Sequence, residues 1–186
     1  MTGSSEQPRA LATRRLLLRP PRMEHAAAMF AGYASDPAVT RFLRWEPHTS
    51  PDATRAYLGD LLRRVESGEE HSWLALAKPS GHVVGSIALH PGEQEAELGY
   101  AFARSTWGRG LATEAARAAI AHAFTVLDLR RVWAACDVDN LASKRVLEKL
   151  GMKLLRRVPR HSVHPGMGRT PRDCFLYALD RTLPSR

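Results

Sequence analysis

The stretch Arg104–Ala116, R-S-T-W-G-R-G-L-A-T-E-A-A, has the residue types and spacing of an anion site. It follows an apolar run, Leu98 to Phe102, and leads into an Ala-rich segment that ends near Leu127. Strand, glycine turn, helix is the local reading. Gly108 and Gly110 let the backbone bend sharply and put no side chains in a ligand's way. The first amides of a helix have no partners inside it. With the helix dipole they favour a neighbouring anion by about 0.3–1 kcal/mol. Arg104 and Arg109 add two full charges. A phosphate or pyrophosphate is the usual occupant of such an end. The spacing is not G-x-x-x-x-G-K-[ST], because no Lys-Ser or Lys-Thr follows. It is not G-x-G-x-x-G, because Thr113 stands where the third glycine belongs. On spacing alone, a bare turn before a helix stays open as the alternative.

The elements that would position this loop follow from periodicity. Residues 1–12 read as a flexible tail, and 13–186 as a single domain. Thr13–Arg19 reads as a strand stopped by Pro20-Pro21, and residues 22–34 keep helical spacing. Asp36-Pro37 and Ser50-Pro51 are helix starts, the second for a helix over 51–66. Ser72–Ala77 and Val83–His90 make a hairpin, and Glu95–Ala103 is the strand before the glycine loop. Arg131–Asp137 is another strand. Asn140 caps a helix that Gly151 ends, and Leu154–Arg160 and Asp173–Leu179 are the last two strands. In the strand Glu95–Ala103, Leu98, Tyr100 and Phe102 share one face, which leaves Glu97, Gly99 and Ala101 on the other. In the helix after Asn140, Ser143, Val146, Leu147 and Leu150 share a face, so Ser143 turns inward.

W-G-R-G-L-A-T-E-A, with E-L-G-Y before it and D-x-D-N-x-x-S-x-x-V-L-E-K-L-G-M after it, resembles the GNAT superfamily of acyl-CoA-dependent N-acyltransferases. It is most similar to the branch of ribosomal-protein N-terminal acetyltransferases of the RimJ/RimL type. The resemblance runs from about Thr13 to Leu179. It implies an α+β (α/β) fold, a mixed central sheet of about seven strands flanked by helices. It implies that Trp107, Gly108, Arg109, Gly110, Leu111, Ala112 and Thr113 cradle the coenzyme A pyrophosphate. Gly110 and Ala112 fill the small positions, and Trp107, where Gln or Arg is usual, has no assigned role. The pantetheine arm would lie along Tyr100, Ala101 and Phe102, with a strand amide as oxyanion donor. Asn140 would hold the pantetheine. Ser143 would contact the cofactor sulfur or protonate the thiolate. Many relatives use a tyrosine as acid, and none stands at the matching place here.

Acyl transfer from a thioester needs a neutral amine, donors for the developing oxyanion and a proton for the thiolate. Glu97 is the candidate base; the other reading is a solvated carboxylate beside Glu93 and Glu95. The other reading has Asn140 as a plain N-cap and Ser143 as an ordinary first-turn serine, which is compatible with binding a cofactor. Phe42, Trp45, Glu46 and Trp73 are candidate walls of an acceptor site. His161 and His164, in the last loop, read as surface histidines. No H-E-x-x-H or paired-Cys spacing calls for a metal.

The chain of 186 residues carries a net charge of +8, and only four of its 27 Lys and Arg residues are Lys. That balance suits a polyanionic cofactor or an acidic partner. No basic run is long enough for a nucleic-acid arm. Cys136 and Cys174 read as buried thiols of a reducing compartment. With no targeting segment and no apolar stretch of about 20 residues, a cytoplasmic protein is expected, without a membrane partner. The expected cofactor is acetyl-CoA or another acyl-CoA, succinyl-CoA among them. The expected acceptor is a protein N-terminal amine, a small-molecule amine or an aminoglycoside, and a homodimer fits the family. A non-catalytic acyl-CoA sensor is the rival, set apart by the absence of turnover.

Overall fold

The computed structural model describes residues 8–182. Its strands are β1 (Leu11–Ala12), β2 (Leu16–Arg19), β3 (His71–Ala77), β4 (Val83–Pro91), β5 (Glu95–Phe102), β6 (Arg131–Asp137), β7 (Lys153–Ser162) and β8 (Arg172–Asp180). They form one sheet in the order β1-β2-β3-β4-β5-β6-β8-β7. Every neighbouring pair is antiparallel except β5 and β6. The sheet has eight strands where about seven were expected. The addition comes from the stretch read as a tail: Leu11 and Ala12 pair with Leu18 and Leu17. Residues 1–7 of that stretch lie outside the described residues.

The helices are α1 (Ala26–Met29), α2 (Pro37–Thr40), α3 (Pro51–Glu66), α4 (Leu111–Thr125) and α5 (Leu141–Lys149). Their starts follow the capping signals. Asp36 Oδ1 accepts from the Ala38 amide at 2.9 Å, and Ser50 Oγ from the Ala53 amide at 3.1 Å. The helix expected over 22–34 is instead three pieces: a 3₁₀ turn Met23–His25, α1, and a π-helical turn Phe30–Ala34. The widened turn sets Gly32 against β4, where a Cβ would stand 2.9 Å from the Val83 carbonyl oxygen.

Two cores sandwich the sheet. On one face Leu16, Leu18, Ile87, Leu89 and Leu98 meet α4 and α5. Ala115, Ala116, Ala119 and Ala123 of α4 are fully buried there, and their small side chains let the helix lie close to the strands. On the other face Leu74, Ala101 and Ala103 meet Met29, Tyr33, Leu58 and Leu61 of the N-terminal helical region. The strand alternation predicted for β5 is therefore the one observed. Trp73 belongs to the α4 core, fully buried, with its indole N–H on the Arg9 carbonyl at 2.8 Å. It is not a wall of an open site.

Candidate active site

β5 pairs with β4 from Ala96 to Phe102 but with β6 only at Glu95, Ala96 and Glu97. β6 follows β8 instead, paired from Arg131 through Asp137. The two parallel strands therefore part beyond Glu97 and Trp133. In the β4–β5 ladder, Gly92 N–H bonds Glu95 O at 2.7 Å and Ala103 N–H bonds Val84 O at 2.8 Å. Bonding alternates along an antiparallel strand, so Tyr100 and Phe102 turn their backbone groups toward the gap. Trp107 gains a role here: its indole N–H donates to the Phe102 carbonyl at 2.8 Å and ties the glycine loop to the gap's edge.

The loop has the conformation its glycines allow. Gly108 and Gly110 have φ of +74° and +73°. Gly110 is the N-cap of α4 and makes no side-chain cap. The first intrahelical bond from this end is Glu114 N–H to Gly110 O, 3.1 Å. That leaves the amides of Leu111, Ala112 and Thr113 as the open donors of the helix terminus. Arg104 does not serve this terminus as expected. Its guanidinium pairs with Asp36 at 3.3 Å, at the cap of α2. The nearer cations are Arg14, Arg15 and Arg117, which line an open depression of about 580 Å³ beside Gly110 and Glu114.

Glu114, a first-turn carboxylate that would oppose an anion, is tied back to the β1–β2 turn. The Thr13 hydroxyl donates to it at 2.6 Å, the Arg15 amide at 2.7 Å and Arg15 Nε at 2.6 Å. Arg15 also donates to the Arg109 carbonyl at 2.8 Å, which braces the loop. Burial alone would raise the Glu114 pKa, but these donors outweigh it and hold the carboxyl at about 2. The folded value is depressed, so this stability is full above the ordinary glutamate range. It is lost as pH falls from about 4.5 toward 2. Glu114→Gln should cost about 2 kcal/mol at neutral pH, a melting temperature lower by about 4–8 °C. Thermal melts should show the gap between variant and parent closing as the pH approaches 2; a constant gap would contradict the tie.

Glu97 lies on the opposite face from Tyr100 and is 19% exposed. Arg44, on the loop after α2, holds both its oxygens, Nη2 to Oε1 at 2.6 Å and Nη1 to Oε2 at 3.3 Å. Glu97 is thus an ion-paired carboxylate, not a solvated one. Further along the same face, Asp137 accepts from Arg172 Nε at 2.6 Å, and Arg172 also reaches Asp139 at 2.5 Å. His164 stands beside them, its Nε2 3.4 Å from Asp137 Oδ2. It is only 5% exposed, so the expectation of a surface histidine is wrong. The loop carrying it folds under Phe42, whose ring meets the imidazole edge-on at 6.3 Å. Burial, partly offset by Asp137, lowers its pKa and favours the neutral ring.

On the α5 side the Tyr100 hydroxyl lies 2.8 Å from Ser143 Oγ. Asn140 Oδ1 accepts from the Ser143 amide at 3.1 Å and caps α5. Burial raises the Tyr100 pKa, so the phenol keeps its proton. A tyrosine does reach the Ser143 hydroxyl, from β5. The signal was in the alternation that set Tyr100 opposite Glu97. Among the described residues no group of three or more His, Cys, Asp or Glu could hold a metal ion.

A gap between parted parallel strands, with free strand amides along it and an open helix terminus at its end, suits a long linear ligand with a phosphate end. Residues 15–153 match the model of the acetyltransferase (GNAT) domain, and the chain belongs to that family. It is 31% identical to the uncharacterized N-acetyltransferase p20 of Bacillus licheniformis over 146 residues, 77% of this chain and 82% of the relative. A GNAT-family acetyltransferase structure from Bacillus anthracis superposes with a TM-score of 0.80 at 25% identity, over 92% of this chain and 98% of that one. Mycobacterium smegmatis RimJ, solved with CoA-disulfide, gives 0.80 at 25%, over 95% and 89%.

Proposed function

We propose that the protein transfers an acyl group, acetyl by default, from coenzyme A to an amine held on the Glu97 face of the sheet. The observation that carries this is the parting of β5 from β6 beyond Glu97, next to the uncapped start of α4. The amides of Leu111, Ala112 and Thr113 suit the pyrophosphate, and the left-handed glycines before them leave room for it. The Tyr100 and Phe102 backbone suits the pantetheine arm, and a β5 amide suits the thioester oxygen as it gains charge. A protein N-terminal amine is the acceptor we favour, by likeness to RimJ. The working unit is one domain that includes β1, in the cytoplasm.

The transfer runs directly from thioester to amine. Cys136, the cysteine near Tyr100, is buried, which pushes its thiol up to about 12. It is therefore a poor nucleophile for an acyl-enzyme. Glu97 takes the amine proton, directly or through water. Ser143, held by Asn140 and Tyr100, stands to protonate the departing thiolate. Ser143→Ala should lower kcat about tenfold to a hundredfold, with the KM for acyl-CoA nearly unchanged. Steady-state kinetics check this; unchanged kcat would leave the Ser143 hydroxyl as a packing contact of Tyr100 only.

Calorimetric titration with acetyl-CoA tests the cradle by itself. Binding with Kd in the range of about 1 μM to 1 mM is expected; no binding would contradict the proposal at its base.

A further inference from the structure

Glu97 is occupied. Both of its oxygens accept from Arg44. An acceptor amine reaches the protein mostly as an ammonium ion, and at Glu97 it meets a guanidinium in the position it needs. A second anion that receives Arg44 shifts the balance toward a free Glu97. Asp137 and Asp139 are held by Arg172, and Asp36 by Arg104. The same loop carries Arg41, whose guanidinium stands 5.2 Å over the Phe42 ring. Among the described residues no carboxylate is ion-paired with Arg41, so it adds positive charge to the mouth of this face. Arg44 itself is 57% exposed and free to swing.

Resting on the acyltransferase reading, we propose that Arg44 receives a carboxylate carried by one of the two reactants, and that this exchange releases Glu97 as base. The Arg44–Glu97 pair opens and an Arg44–carboxylate pair forms. One proton of the ammonium passes to Glu97, the new C–N bond forms as the C–S bond breaks, and the second amine proton reaches the thiolate by way of the Ser143 hydroxyl or water. The favoured substrates are amines with a carboxylate close by, such as an aspartyl N-terminus, or acyl groups that end in one. A neutral pair of reactants leaves Arg44 paired with Glu97 and reacts more slowly.

The test uses the full chain with acetyl-CoA and succinyl-CoA, each against two C-terminally amidated dipeptides, aspartyl-alanine and asparaginyl-alanine. Preference for the aspartyl peptide with acetyl-CoA, by about ten- to a hundredfold in kcat/KM, places the carboxylate on the acceptor. Preference for succinyl-CoA with the asparaginyl peptide places it on the acyl chain. In either case Arg44→Gln should bring the ratio close to one. Equal rates for all four combinations, or a preference that survives Arg44→Gln, overturn the proposal and leave the acyltransferase standing. Absence of thiol release across these and a broader amine panel, with acetyl-CoA bound, overturns both.

Discussion

Glu97→Gln should lower kcat about 10²–10⁴-fold and leave acetyl-CoA binding as it was. Glutamine keeps the size and the carbonyl oxygen of glutamate but cannot accept a proton at neutral pH. Glu97 lies on the face of β5 opposite Tyr100, away from the side chains that meet α4 and α5. It is also the last residue of β5 paired with β6, so it stands where the gap opens. A general base must sit within reach of the proton it takes, and this position meets that need for an amine approaching from the α1–α3 face. The substitution removes one member of an exposed ion pair with Arg44, which is worth little to stability. A fall in turnover with an unchanged melting temperature and unchanged acetyl-CoA affinity therefore identifies a chemical role. Full activity in Glu97→Gln would remove Glu97 from the mechanism.

Gly110→Glu should weaken acetyl-CoA binding about a hundredfold or more. Two costs add. The φ of +73° at Gly110 is left-handed, which costs a residue with a Cβ about 1–2 kcal/mol. The new carboxylate would also stand at the helix end proposed for the pyrophosphate, where like charges repel. Gly110→Ala separates the two. The nearest atom to its Cβ is Arg15 Nη2 at 3.6 Å, so it meets no clash and bears only the backbone cost. Calorimetry should rank the affinities parent, alanine, glutamate. Equal affinity in all three would mean that this terminus does not hold the phosphates.

Local chemistry made much of the frame legible. Asp36 and Ser50 each announced a helix through a side chain that satisfies an amide two or three residues on. The alternation in β5 separated Glu97 from Tyr100. The paired glycines before α4 required a left-handed turn, and Asn140 was legible as a cap.

What the sequence hid depends on which distant side chains come together. Arg44 and Glu97 are 53 residues apart, and Tyr100 and Ser143 are 43 apart. No local pattern encodes either contact. Nothing local to Glu114 signals its ties; the β1–β2 turn brings Thr13 and Arg15 onto it. His164 looked like a surface histidine because its loop is polar, and only the packing against Phe42 and Asp137 buries it. The π-helical turn at Phe30–Ala34 arises from the close approach of Gly32 to β4, which helical periodicity cannot register.

Amine-dependent release of free thiol from acetyl-CoA, with the acceptor's mass followed in the same reaction, tests the proposed transfer most directly. Thiol should appear only when a competent amine is present, and that amine should gain one acetyl group for each thiol released. Acetyl-CoA bound at the loop with no amine-dependent thiol release, across peptide N-termini and small amines, would contradict it and leave a protein that binds the thioester without using it.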